Sequence, residues 1–187
     1  KRAEAGEKLT IGFIGGSITQ GSLSSTPQKC YAYLVYEWWV RTFPQAEFKY
    51  VNAGIGGTTS QFGVARAQDD LLDAEPDFVI AEFSVNDEST GHFEETYEGL
   101  VRKILSSKSH PALMLVHNVC YNNGASAELV HSRIARHYNI PSVSMQSTLY
   151  KALLNCRFDN RRITPDDLHP NDCGHELVSM VITKRLE

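Results

Sequence analysis

Residues Leu9 to Ile14 form an apolar run that stops at Gly15-Gly16, with Ser17 immediately after. Apolar and β-branched residues bounded by glycines read as a short buried strand. The glycines allow a sharp turn at its carboxyl end and leave the serine beside little side-chain bulk. In open α/β sheets, that end of the strands is where ligands bind. Ser17 is therefore a candidate nucleophile, although an ordinary strand-to-helix turn with a capping serine would look the same locally.

The pattern repeats along the chain. A helix is expected after the small-residue loop 21–27, with Tyr31, Leu34, Val35 and Trp38 on one apolar stripe and Pro44 ending it. Trp38 and Trp39 read as core residues. A second strand over Glu47 to Val51 leads into the glycine-rich stretch Asn52 to Ser60, and a helix follows over 61–72. Phe78 to Phe83 is a third strand, running into Ser84-Val85-Asn86-Asp87 and a helix over 93–107. A fourth strand at 112–116 precedes a polar loop at 117–124 and a helix at 125–138. A short fifth strand at 141–143, a helical segment at 146–154 and an irregular loop at 156–168 come next. Asn171 can cap a last helix that carries Leu177, Val178, Val181 and Ile182.

Five strands alternating with helices imply right-handed crossovers and a parallel sheet covered on both faces. The expected fold is a flavodoxin-like three-layer α/β/α sandwich with strand order 2-1-3-4-5, one domain over residues 1–187. That order gathers the turns after the first three strands around a switch point.

The 187 residues carry a net charge of -4 with no long Lys/Arg cluster, which argues against nucleic acid. No apolar run approaches the ~18 residues that a membrane span needs. The polar stretch Lys1 to Lys8 is no signal peptide. Cys30, Cys120, Cys156 and Cys173 are scattered, giving neither a zinc pattern nor a disulfide framework, and lean toward a reducing compartment such as the cytoplasm. The oligomeric state is not legible.

Gly12, Gly15 and Gly16 miss the G-x-G-x-x-G spacing, as do Gly54, Gly56 and Gly57, and no phosphate-binding G-x-x-x-x-G-K-[ST] exists. The nucleophile elbow G-x-S-x-G fails at Thr19. A different constellation remains: Ser17 after the first strand, Gly57 after the second, Asn86 after the third, and Asp166-Asp167-Leu168-His169 near the end. A serine needs an adjacent base, which His169 can be. The base needs an anion to hold its tautomer, which Asp166 can supply, with Asp167 a rival one residue away. The Ser17 and Gly57 amides with the Asn86 side chain would offer three donors to an oxyanion, each worth about 2.7–4 kcal/mol in the transition state.

At these residues the chain resembles the SGNH/GDSL hydrolase superfamily. Gly16-Ser17-Ile18-Thr19 is similar to its first block, Asn52 to Thr58 to its second, Val85-Asn86-Asp87 to its third and Asp166-x-x-His169 to its fifth. The resemblance implies catalytic Ser17, Gly57, Asn86 and His169, and its D-x-x-H spacing selects Asp166, leaving Asp167 to face solvent or cap the turn into Pro170. Gly16 stands where the family usually has Asp, and Ser84 where it usually has Gly. The G-G-S-I-T form resembles bacterial carbohydrate esterases. The resemblance thus implies a serine esterase for short acyl groups, above all O-acetyl groups on an oligosaccharide, without metal or organic cofactor, and it leaves secretion open. The alternatives are a lipolytic lysophospholipase or thioesterase, and a catalytically silent carbohydrate-binding domain on the same fold.

Phe62, Phe93, Tyr121 and Asn122 begin or follow rim loops and are candidates to line the substrate, as is His117 at the end of the fourth strand. His92 is a further rim candidate. His110, His131, His137 and His175 read as surface or packed residues, Glu82 and Asp87 as local hydrogen-bond partners, and Arg157, Arg161 and Arg162 as a solvated loop.

Overall fold

A computed structural model describes residues 1–187. Its single sheet is parallel, in the order β2-β1-β3-β4-β5, with β1 Lys8–Gly15, β2 Glu47–Gly54, β3 Phe78–Glu82, β4 Ala112–His117 and β5 Ser142–Ser144. The expected order and layering are therefore present. β1 pairs with both β2 and β3, so that Gly15 lies beside Gly54 on one side and Glu82 on the other. The three turns that leave these strands consequently start at one level, at the switch point.

The helices are α1 Ser17–Gln20, α2 Tyr31–Thr42, α3 Ser60–Asp70, α4 Gly91–Leu105, α5 Glu128–His137, α6 Lys151–Leu154 and α7 Asp172–Leu186. The two-residue period of the strands divides the core. Ile11, Phe13, Ile80 and Met114 face α2 and α7, where Tyr31, Val35, Val178 and Ile182 meet them. Ile14, Val79, Ala81 and Leu115 face α3, α4 and α5, against Ala67, Leu100, Ile104 and Ile134. Fully burying an aliphatic side chain of this kind contributes about 1.5–3 kcal/mol.

Several local expectations shift. α2 buries Tyr31, Ala32 and Val35, whereas Leu34 and Trp38 stay half-buried. Trp39 is half-buried too, but it is the tryptophan that packs against the core, with Phe48 of β2 and Phe78 of β3 at ring separations of 6.1 and 5.6 Å. The segment after β5 opens as a π-helical turn, Gln146–Tyr150, before α6. Asn171 caps α7 as expected, its side chain accepting from the Gly174 amide at 3.1 Å. No helix is long and apolar enough to cross a membrane.

Candidate active site

Ser17 is the first residue of α1 and is buried beneath the rim at 8% exposure. The short helix is held from several sides. The Asn52 side chain donates to the Thr19 carbonyl at 2.8 Å, and Thr19 Oγ1 shares a buried 2.8 Å hydrogen bond with the Tyr31 hydroxyl. Gln20 Oε1 accepts from the Gly56 amide at 2.9 Å, which ties α1 to the loop after β2. Beneath both loops, the buried Arg66 guanidinium of α3 donates to the carbonyls of Ala53 at 2.7 Å and Gly15 at 3.1 Å. Arg66 thus fastens the ends of β1 and β2 together, a role that no local sequence pattern signals.

The glycine pair works through space, not through unusual torsions. Gly16 sits at φ -85°, a value open to any residue. A Cβ there, however, would stand 2.3 Å from Asn86 Oδ1 and 3.2 Å from its Cγ. The Asn86 side chain of the β3 turn occupies the volume that a side chain at position 16 would need. Gly57 differs: its φ of +70° is a left-handed conformation that favours glycine, and its amide donates to no protein group, while the neighbouring Gly56 amide is taken by Gln20.

Ser17 Oγ lies 2.9 Å from His169 Nε2, and His169 Nδ1 lies 2.7 Å from Asp166 Oδ2. The other Asp166 oxygen accepts from the His169 amide at 2.7 Å, the Leu168 amide at 3.1 Å and the buried Thr164 hydroxyl at 3.1 Å. Partial burial alone would raise the Asp166 pKa. Hydrogen bonds from the His169 ring and from the His169 and Leu168 amides outweigh it and bring the carboxyl to about 2. Ionised Asp166 fixes the proton on Nδ1, so Nε2 faces Ser17 as an acceptor.

Asp167 does not contact the imidazole. Its carboxylate takes hydrogen bonds from Asn160 and, at 3.3 Å, from Arg161, while its carbonyl accepts from the Tyr121 amide at 2.7 Å. The Asp167 carboxylate keeps partial access to solvent, as expected, but takes these partners and does not cap the turn into Pro170. Arg161, expected in a solvated loop, also donates to the Pro165 carbonyl and braces the segment that carries Asp166 and His169. His175 of α7 is likewise structural: its Nδ1 accepts from the Tyr31 amide at 3.2 Å and its ring stacks on Tyr31. Burial lowers its pKa below the ordinary histidine value.

Two substrate-lining expectations fail. His117 is 1% exposed, with both ring nitrogens buried and unpartnered, because α5 covers the end of β4, with the His131 ring 6.1 Å away. Burial lowers its pKa to about 3. Tyr121 is also buried, packed in the core on the α2/α7 face. Phe62 is half-exposed at the start of α3, Phe93 packs edge-on against His92, and Asn122 is open to solvent. A surface cavity of about 750 Å³ lies elsewhere, among Trp38, Leu149, Leu177 and Met180, and none of the site residues lines it.

Residues 13–177 match the model of the GDSL-like lipase/acylhydrolase family. The chain belongs to that family. Among solved structures, a two-domain esterase active on acetylated mannans, co-crystallised with mannopentaose, is 72% identical, with a TM-score of 0.98 over 99% of this chain. The match covers 51% of that protein, so the present chain spans about half its length. An acetylxylan esterase from Geobacillus stearothermophilus has the same fold as this chain, at a TM-score of 0.78 and 20% identity, over 95% of this chain and 94% of its own. The thioesterase 1/protease 1/lysophospholipase L1 of Escherichia coli (strain K12) is 26% identical over 100% of this chain and 86% of its own length.

Proposed function

We propose that this chain hydrolyses short-chain acyl esters, above all O-acetyl groups on a carbohydrate, with Ser17 as nucleophile, His169 as general base and acid, and Asp166 as the orienting anion. The unbroken line from Ser17 Oγ through His169 to Asp166, at 2.9 and 2.7 Å, carries this reading. It also weighs against a catalytically silent domain, which has no need of that alignment.

In the acylation step His169 Nε2 removes the Ser17 proton as Oγ attacks the ester carbonyl. The carbonyl oxygen becomes an oxyanion, received by the amides of Ser17 and Gly57 and by Asn86 Nδ2. The Ser17 amide has no intrahelical partner at the first turn of α1. The imidazolium then protonates the leaving sugar oxygen as the C–O bond breaks, and water repeats the sequence to release acetate. Phe62, Phe93 and Asn122, all reaching solvent near the rim loops, are the proposed substrate-facing side chains.

The high identity to a mannan-active esterase supports an acetylated oligosaccharide as substrate. The lipolytic alternative would need an apolar trough at Ser17, and the large apolar cavity is lined by none of the site residues. One sheet flanked by both core clusters supports reading residues 1–187 as one hydrolase domain. The test is rate against chain length, from p-nitrophenyl acetate to octanoate, beside acetylated mannan and xylan oligosaccharides. Activity should fall from acetate to octanoate and vanish in Ser17→Ala. A rise toward octanoate would promote the lipolytic reading, since each buried methylene would contribute about 0.8 kcal/mol.

A further inference from the structure

We propose that His131, on α5, is a positioning residue for the oxyanion donor Asn86 and acts through Asp87. This rests on the reading of Asn86 given above. The Asp87 and His131 side chains are both completely buried, with His131 Nε2 3.1 Å from Asp87 Oδ2. A carboxylate can only accept, so Nε2 carries the proton and donates it to Asp87. The second Asp87 oxygen accepts from the Ser60 amide at 2.9 Å. Ser60 opens α3 directly after the Gly57 loop, so Asp87 joins the turn that carries Asn86 to the loop that carries Gly57. The two outer oxyanion donors are set relative to one another by this one carboxylate.

The residue that leads into α5 holds the same turn at a second point, where the Ala127 amide donates to the Ser84 carbonyl at 2.7 Å. Packing alone does not call for histidine at position 131. Its ring lies flat on Tyr97, with centroids 3.6 Å apart and planes 9° from parallel, a place that an apolar aromatic ring would also fill. Instead the chain buries an imidazole whose Nδ1 has no partner, an arrangement that costs stability. What histidine supplies and phenylalanine does not is the Nε2–H donor to Asp87. Without it a buried carboxylate loses a partner, and the turn can relax away from the Gly57 loop. Small misplacements of groups that act on a transition state are expensive, about 10²-fold for 1 Å.

Four variants of the full chain test this: N86A, H131F, H131Q and the double variant H131F/N86A. Rates on p-nitrophenyl acetate are normalised to the fraction of Ser17 that a fluorophosphonate labels. Because the oxyanion forms only in the transition state, H131F should lower kcat roughly 10- to 100-fold with KM within about twofold. H131Q, whose amide can still donate to Asp87, should recover most of the loss. In the N86A background, H131F should cost no more than about threefold further, since its effect passes through the donor already removed. Full kcat in H131F, losses that multiply in the double variant, or folded H131Q as impaired as H131F would each overturn the proposal. Should H131F not fold, H131Q decides alone: near wild-type kcat upholds the donor role, and a tenfold loss sinks it. Wild-type kcat in N86A would instead refute Asn86 as an oxyanion donor, and the positioning role with it.

Discussion

Replacing Gly16 by alanine adds one methyl group and separates folding from catalysis. The new Cβ would stand 2.3 Å from Asn86 Oδ1. An ordinary contact between carbon and other heavy atoms is about 3.5 Å, so the Asn86 amide must retreat by about 1 Å. That oxygen is buried but holds no hydrogen-bond partner, so its retreat breaks no bond and stability should change by about 1 kcal/mol, at the low end for overpacking. Catalysis has no such slack. Displacement by about 1 Å costs roughly 10²-fold, and complete loss of one oxyanion donor costs 10²–10³-fold, which brackets the outcome. Gly16→Ala should therefore lower kcat by about 10²-fold, close to 2.7 kcal/mol on the barrier, with KM little changed. Steady-state kinetics on p-nitrophenyl acetate, beside a thermal melt, measure both parts. Gly16→Asp, which restores the commoner family pattern, should do no better, because it carries the same Cβ. If either variant keeps kcat within about threefold of the parent, Asn86 does not act from the position seen here, and the oxyanion reading falls.

Asp166→Asn should lower kcat by roughly 10²–10⁴-fold. Its Oδ1 would stay with the three donors from His169, Leu168 and Thr164, turning an NH₂ toward Nδ1 and forcing the imidazole into the tautomer unable to accept the Ser17 proton. Asp167→Asn should cost less than about threefold in the same assay: asparagine still accepts from Asn160 and tolerates the positive φ of 66° at this position. The reverse ranking would move the triad to Asp167. Burial raises the Glu82 carboxyl from 4.5 to about 7, so the folded state holds a proton that the unfolded chain has released in that window, and stability falls as pH rises through it. Glu82→Gln keeps the acceptor for the Ser84 amide and cannot ionise. Its stability relative to the parent should therefore improve from pH 5 to pH 8, by roughly 3 kcal/mol at most. Denaturant titrations at the two pH values decide this, and an unchanged difference would mean that Glu82 is not held protonated by burial.

What the sequence determined by itself is whatever local pattern encodes. Five apolar runs, each ending in a polar or glycine-rich turn, specify strands, crossovers and a common active edge, because side-chain period and turn chemistry act within a few residues. Asp166 and His169 were legible for the same reason: three residues of separation allow one turn to bring them together. Serine and histidine, 152 residues apart, were paired by the chemistry a serine nucleophile needs, and the fold closed the distance. Tertiary structure alone decided which polar residues face inward. His117 and Tyr121 follow a strand as rim residues do, yet α5 and the core cover them, since burial depends on the element lying opposite. The braces from Arg66, Thr164 and His131 join segments whose spacing carries no signal. Gly16 is the sharpest case. Its sequence setting suggests a need for backbone freedom, while its backbone angle is ordinary, and the missing side chain makes room for Asn86, a partner 70 residues away that only the folded chain brings near.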